Sequence, residues 1–181
     1  GYASLRWIQL PWGPYNDRNG ETRPAMGDVD NDGCDEIVLG LGSTSVGWIY
    51  VIDDAPSNYG TNAPYGWHRV GWRAYWDSNG GTWPAVGEID TTPGEELVIG
   101  FDSFPDSGGW FELRNDALAG TPFGHTGWKR VTWNEYNSTN GATHPAIGDV
   151  SCGGAEEVII GLGSGGLSNL QIFNDATAGY S

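Results

Sequence analysis

The sequence predicts an all-β protein made of three copies of one four-stranded antiparallel unit. The first observation is a period. Trp7, Trp67 and Trp128 fall 60 and 61 residues apart, and so do Trp12, Trp72 and Trp133, Tyr15, Tyr75 and Tyr136, and Pro24, Pro84 and Pro145. Such a period marks a supersecondary unit that cannot bury its faces alone. The second is composition: Gly 30, Trp 10 and Tyr 8 in 181 residues describe a turn-rich, strand-rich chain with enough aromatic area for a core. The third is the lack of any sustained helical periodicity, while short β-branched and aromatic runs recur between Gly, Asn, Asp and Pro.

The chain 1–181 reads as a single repeat domain with units 1–60, 61–121 and 122–181. The first strand of each unit is WIQLPW, WHRVGW or WKRVTW, and the second is PAMGDV, PAVGEI or PAIGDV. The third is EIVLGLG, ELVIGF or EVIIGLG, apolar on both faces and so expected at the centre of a sheet. The fourth is GWIYVID, GWFELRN or NLQIFND, with alternating apolar positions such as Ile49 and Val51. Four antiparallel strands repeated by period describe the blades of a β-propeller. A β-trefoil-like threefold domain is the alternative, although it does not account for the acidic loop between the second and third strands.

That loop reads GDVDNDGCDEIVLG at 27–40. Counted from Asp28, oxygens at positions one, three, five and nine come from Asp28, Asp30, Asp32 and Glu36, and position seven offers the Cys34 carbonyl. Carboxylates so close repel one another unless a cation lies between them, and hard oxygen donors in a flexible loop suit Ca²⁺ rather than a transition metal. Gly33 allows the reversal. An EF-hand would need an acid at position twelve, where Leu39 stands. The second copy keeps weaker candidates, Glu88, Asp90, Thr92 and Glu96, with Pro93 at position six. The third keeps Asp149, Ser151 and Glu157, a set in which hydrogen bonds are expected to replace the ion.

The pattern PAxGDVDxDGxDEIVxGLG followed by GWxxVxDDA resembles the FG-GAP or VCBS-type repeat of integrin-α-like β-propellers, over nearly the whole chain. The resemblance implies a calcium loop between the first and second strands of each blade, with Asp28, Asp30, Asp32, Glu36 and the Cys34 carbonyl at the ligand positions. It also shifts the strand order. If PAMGDV is the inner strand, the outermost strand of each blade is the Trp-flanked segment that begins the next unit. Residues 67–72 then finish blade one and 128–133 finish blade two. Blade three lacks an outer strand, and residues 7–12 are left over. The expected solution is a pair of chains, each lending residues 5–12 to the third blade of the other and closing a six-bladed ring. A longer array or a filament is the alternative.

The net charge of −15 argues against nucleic acid and anionic membranes as partners. No apolar run reaches the ~20 residues a membrane span needs. The opening GYASLRWIQL has neither the charged nor the apolar region of a signal peptide, which fits a start from which one was removed. Cys34 and Cys152 have no metal or redox spacing and are not equivalent in the repeat, so a disulfide is not predicted. His68, His125 and His144 accompany no nucleophile signature, and a non-catalytic protein is expected.

Aromatics fixed in all three units read as core. Variable positions are the candidate ligand contacts: Arg23, Trp83 and His144 before each repeated proline, and Trp76, Asp77 and Asn79 around one turn. Exposed indoles beside Asp and Asn suit a sugar ring. The expected function is a calcium-stabilised extracellular or cell-surface module for adhesion or protein assembly. It would self-associate through its N-terminal strand and open blade flanks, with a cell-surface protein or glycan as partner. A lectin is the alternative.

Overall fold

The computed structural model describes residues 3–104, 108–174 and 179. It is all-β with little helix, and its strands form three antiparallel sheets. The first sheet orders β1 (Thr22–Gly27), β2 (Glu36–Leu41), β3 (Trp48–Ile52) and β4 (Gly66–Arg69) side by side. The second orders β5 (Thr82–Gly87), β6 (Glu96–Phe101), β7 (Trp110–Arg114) and β8 (His125–Arg130) in the same way. The third contains β9 (Thr143–Gly148), β10 (Glu157–Leu162) and β11 (Leu170–Phe173). β2, β6 and β10 lie at internal positions, as their two-sided apolar character requires. Register repeats too: Pro24 pairs with Leu39, Pro84 with Ile99 and Pro145 with Ile160.

Each sheet presents a small face to the knobs of the next. A Cβ at Gly27 would collide with Val86, and one at Gly40 with Pro84. One junction along, Gly87 meets Ile147 and Gly100 meets Pro145 in the same way. Glycine here is set by close approach of two sheets, because any side chain would force them apart. Thr82 and Thr143 lock the two junctions: the Oγ1 of Thr82 accepts from Leu41 N–H (3.0 Å) and donates to the Trp48 carbonyl (3.1 Å). Thr143 repeats this with Phe101 N–H (2.9 Å) and the Trp110 carbonyl (2.8 Å).

The short helices α1 (Gly13–Asn16), α2 (Arg73–Trp76) and α3 (Asn134–Thr139) precede β1, β5 and β9. At one turn or little more, they carry no periodicity that the sequence could reveal. They hold the repeated tyrosine, which is buried in each copy and tied at both ends. Tyr75 Oη donates to the Gly81 carbonyl (2.6 Å) and accepts from Asp102 N–H (2.8 Å). Tyr15 and Tyr136 make the equivalent pairs with Glu21 and Gly42, and with Ala142 and Gly163. The tryptophan three residues before each tyrosine stacks on it, with centroids 5.3, 5.3 and 5.8 Å apart.

Two expectations need correction. WIQLPW, read as a strand, forms none in this chain, and not every unit is four-stranded: the third sheet has three described strands, lacking the outer one as the shifted strand order has it. The segments equivalent to 7–12 pair with the sheet before them in the chain, whereas residues 7–12 pair with none of the described strands. Leu10 is buried where Val70 and Val131 sit in the later copies, whereas Trp7 is 92% exposed. The WHRVGW strand spans only Gly66–Arg69. Among the described residues, no helix is long and apolar enough to cross a membrane. Cys34 and Cys152 are free thiols.

Candidate functional site

Two structures recur along the array, an acidic loop and a tryptophan-lined cleft. The loops join the first two strands of each sheet. Their fourth residue is left-handed in every copy, with φ of 58° at Asn31, 72° at Thr91 and 58° at Cys152. A second left-handed residue follows at Gly33, Gly94 and Gly154. Pro93, which cannot take that conformation, passes it to Gly94. The backbone form is therefore kept while the acids vary.

In the first loop, backbone N–H groups hold the acids in place. Asp28 accepts from Asp32 and Gly33 (both 3.0 Å), Asp32 from Cys34 (2.9 Å), and Glu36 Oε2 from Val29 (3.0 Å). Carboxylate oxygens of Asp28, Asp30 and Asp32 lie within 4.8 Å of one another, and so do those of Asp30, Glu36 and Asp53. Asp53 comes from the end of β3, and its spacing from the loop kept it out of the sequence reading. Tyr65 donates to Asp30 at 2.6 Å. Asp54 and the Cys34 sulfur flank Asp32.

Glu36 is fully buried, and its Oε1 has no hydrogen-bond partner. Burial first, then the charge of Asp30, pushes its carboxyl up to about 8. An all-oxygen donor set with an unpartnered buried oxygen fits a hard divalent cation.

The second loop gathers Glu88, Asp90 and Glu96 within the same distance, and burial likewise pushes Glu96 up to about 8. Here the hydroxyl of Thr92 bonds Asp90 at 2.6 Å and reaches Glu96 at 3.5 Å, filling part of the space with a neutral donor. In the third loop Glu157 Oε2 accepts from Val150 and Ser151 N–H (2.9 and 3.1 Å). Hydrogen bonding from Ser151 holds its carboxyl below the ordinary value. The three copies thus grade from an acid cluster to a hydrogen-bonded turn.

Repeat-fixed aromatics were read as core, and they do pack against the apolar clusters, but part of each ring is left open and lines a cleft that the sequence did not show. In the second sheet Trp72, Trp110 and Trp128, with Gly71, line an opening of about 460 Å³. In the first, Trp12, Trp48 and Trp67, with Pro11, line one of about 230 Å³. The six indoles occupy equivalent positions and are half-buried. Trp67 meets Trp12 and Trp48 edge-on at 5.6 and 6.0 Å. Arg69 lies 5.3 Å over Trp48, and Arg130 lies 5.3 Å over Trp110. Buried Glu112 borders the second cleft, taking Gly71 N–H (3.0 Å), Arg114 (2.9 Å) and His125 (3.1 Å).

The ligand candidates from sequence separate into two places. Trp76 packs under Arg69 at 3.5 Å and donates to the Val70 carbonyl at 3.0 Å. Asn79 closes its own turn by accepting from Gly81 N–H, as Asn19 and Asn140 do with Glu21 and Ala142. Asp77 follows as the exposed cap of α2. Arg23, Trp83 and His144 come together as a stack across the sheets: Arg23 sits 4.0 Å over Trp83, and His144 is 4.3 Å from it. Asp102 binds both Arg23 (2.9 Å) and the Trp83 indole N–H (2.7 Å). Burial pulls the His144 imidazole down. Arg23, Trp83 and Asp102 bond one another, and His144 packs on the indole, so the group links the sheets.

A search of protein families, curated proteins and solved structures finds no match to this chain.

Proposed function

We propose that this chain is a non-catalytic, calcium-stabilised carbohydrate-binding module of β-propeller type, acting at or outside the cell surface. The observation that carries the reading is the recurrence of one three-tryptophan cleft in two successive sheets. A sugar ring lays its C–H face on an indole and directs its hydroxyls to polar groups at the rim. His125, 5.2 Å from Trp128 and braced by the buried Glu112, offers a polar group beside the cleft of the second sheet, and Arg69 and Arg130 cover Trp48 and Trp110. A cleft in each of two successive sheets suits a multivalent lectin, in which weak single sites add through avidity.

Calcium is assigned to the first loop on the unpartnered Glu36 oxygen, with Asp28, Asp30, Asp32 and Asp53 around it. The second loop is a weaker site. A module of this kind binds calcium at ~10⁻⁴–10⁻³ M, a range met outside cells. The ion there is a structural brace.

The three sheets are consecutive blades, and residues 5–12 serve as the outer strand of a neighbouring copy's third sheet. Exposed Leu5, Trp7 and Ile8 on one side, and exposed Leu170 and Ile172 on the other, support that exchange. Adhesion or assembly is the second reading, favoured by those unfinished ends. A glycan array probed with the calcium-loaded protein, repeated with Trp128→Ala, tests the sugar reading: loss of the wild-type signal supports it, and an array without signal refutes it.

A further inference from the structure

The two ends of the array are unfinished in complementary ways. At internal junctions, Val29 and Ile89 are 0% and 1% exposed because the following sheet covers them. Their third-copy equivalent, Val150, is 60% exposed. Thr82 and Thr143 are buried under the preceding sheet, whereas Thr22 is exposed, and Met26, equivalent to Val86 and Ile147, is 65% exposed. The third sheet therefore ends in a bare small-residue face, and the first begins with bare knobs. The molecule itself shows twice what such a face receives.

We infer that the third sheet of one chain docks the first sheet of a second copy, head to tail, through the same contacts as the internal junctions. Thr22, Pro24 and Met26 of the second copy sit over Gly148 and Gly161, as Thr82, Pro84 and Val86 sit over Gly27 and Gly40. Thr22 of the second copy takes the Leu162 N–H, as Thr82 takes that of Leu41. Asp35 N–H of the second copy donates to the Asp149 carbonyl. Its internal models are Glu95 to Asp28 (3.0 Å) and Glu156 to Glu88 (2.8 Å). A joint with this geometry is heterologous, closing into a ring or running on as a filament according to its rotation.

The joint also completes a binding site. Trp133 is equivalent to Trp12 and Trp72, but Asn169 stands where Trp48 and Trp110 stand in the other sheets. The ring at the position of Trp67 and Trp128 is supplied by Trp7 of the second copy. The third cleft therefore exists only in the assembled form, with an amide in place of one indole, so its sugar preference differs from that of the other two. This step rests on the blade reading given above.

The test uses a residue whose surroundings differ between the free chain and the joint. A Cβ at Gly148 meets nothing within 4 Å in the single chain, while at its internal equivalents Gly27 and Gly87 it collides with the next sheet. Gly148→Leu is therefore expected to fold with unchanged circular dichroism and melting temperature, yet to stay monomeric in sedimentation velocity. Met26→Asp is expected to do the same from the opposite face. Mixed one to one, the two variants retain one intact joint and form a two-chain species. Wild type sedimenting as a monomer up to millimolar concentration, or Gly148→Leu associating like wild type, would overturn the joint. The blade reading fails separately if Gly87→Leu folds as well as Gly148→Leu. The sugar reading is judged on binding to the two intact clefts of the monomeric variants.

Discussion

Replacing Glu36 with glutamine should reverse its effect on stability when calcium is added. The Glu36 carboxyl is pushed up to about 8 from an ordinary 4.5, by burial and then by the charge of Asp30. The folded, ion-free chain thus holds this proton more tightly than the unfolded one. The stabilisation is fully present below pH 4.5 and is lost as pH rises through 8. The whole shift corresponds to about 5 kcal/mol, and relaxation of an edge loop with water entry brings it to ~2 kcal/mol. Without calcium at pH 8, Glu36→Gln should be the more stable protein by roughly that amount.

Calcium should invert the order. Ten millimolar ion against a dissociation constant of ~10⁻⁴–10⁻³ M stabilises the wild type by about 1.4–2.7 kcal/mol. At ~2–4 °C per kcal/mol for a chain of this size, the wild type should gain roughly 3–10 °C. Glu36→Gln, which keeps the Val29 hydrogen bond but loses the charge, should gain almost nothing. Thermal melts followed by tryptophan fluorescence at pH 6 and pH 8, in EDTA and in calcium, give all eight values. The reasoning fails if the variant keeps the full calcium gain, or if ion-free wild type becomes more stable between pH 6 and 8.

Three further outcomes are expected. Tyr75→Phe leaves the Gly81 carbonyl and the Asp102 N–H buried without their partner and should cost ~2–4 kcal/mol, read from urea melts. Trp83→Ala removes the ring between Arg23 and His144 and strands a salt-bridged Asp102. It should cost ~3 kcal/mol in the same melts and leave sugar binding unchanged in titration calorimetry. Glu157→Gln in the third loop should leave the calcium response of wild type intact in the fluorescence melts, since its carboxylate is already satisfied by backbone N–H groups.

The strands were legible because apolar runs, glycines and prolines recur at one spacing. The placing of 67–72 and 128–133 in the preceding sheets came from the resemblance, and the strands there run 66–69 and 125–130. The loop acids were legible as local spacing, but Asp53 was not, because it reaches Asp30 and Glu36 only through the pairing of β3 with β2. The clefts were hidden for a different reason. Identity of Trp12 and Trp72, or of Trp67 and Trp128, across copies argues equally for packing and for a repeated site, and the half-exposed rings pack on the core while lining a cleft. Conversely, Trp76 and Asn79 looked like surface contacts, and their hydrogen bonds to Val70 and Gly81 make them part of the turn. Residues 5–12 have the composition of a strand, but they pair with none of the described strands of this chain.

The central claim is that the repeated tryptophan clefts hold sugar. Titration calorimetry of the calcium-loaded protein with the best monosaccharide from the array tests it most directly, comparing wild type with Trp67→Ala, Trp128→Ala and the double variant. The account predicts that each single variant loses one site per chain and that the double variant loses both intact clefts while keeping the wild-type circular dichroism. Undiminished binding by a folded double variant would contradict it.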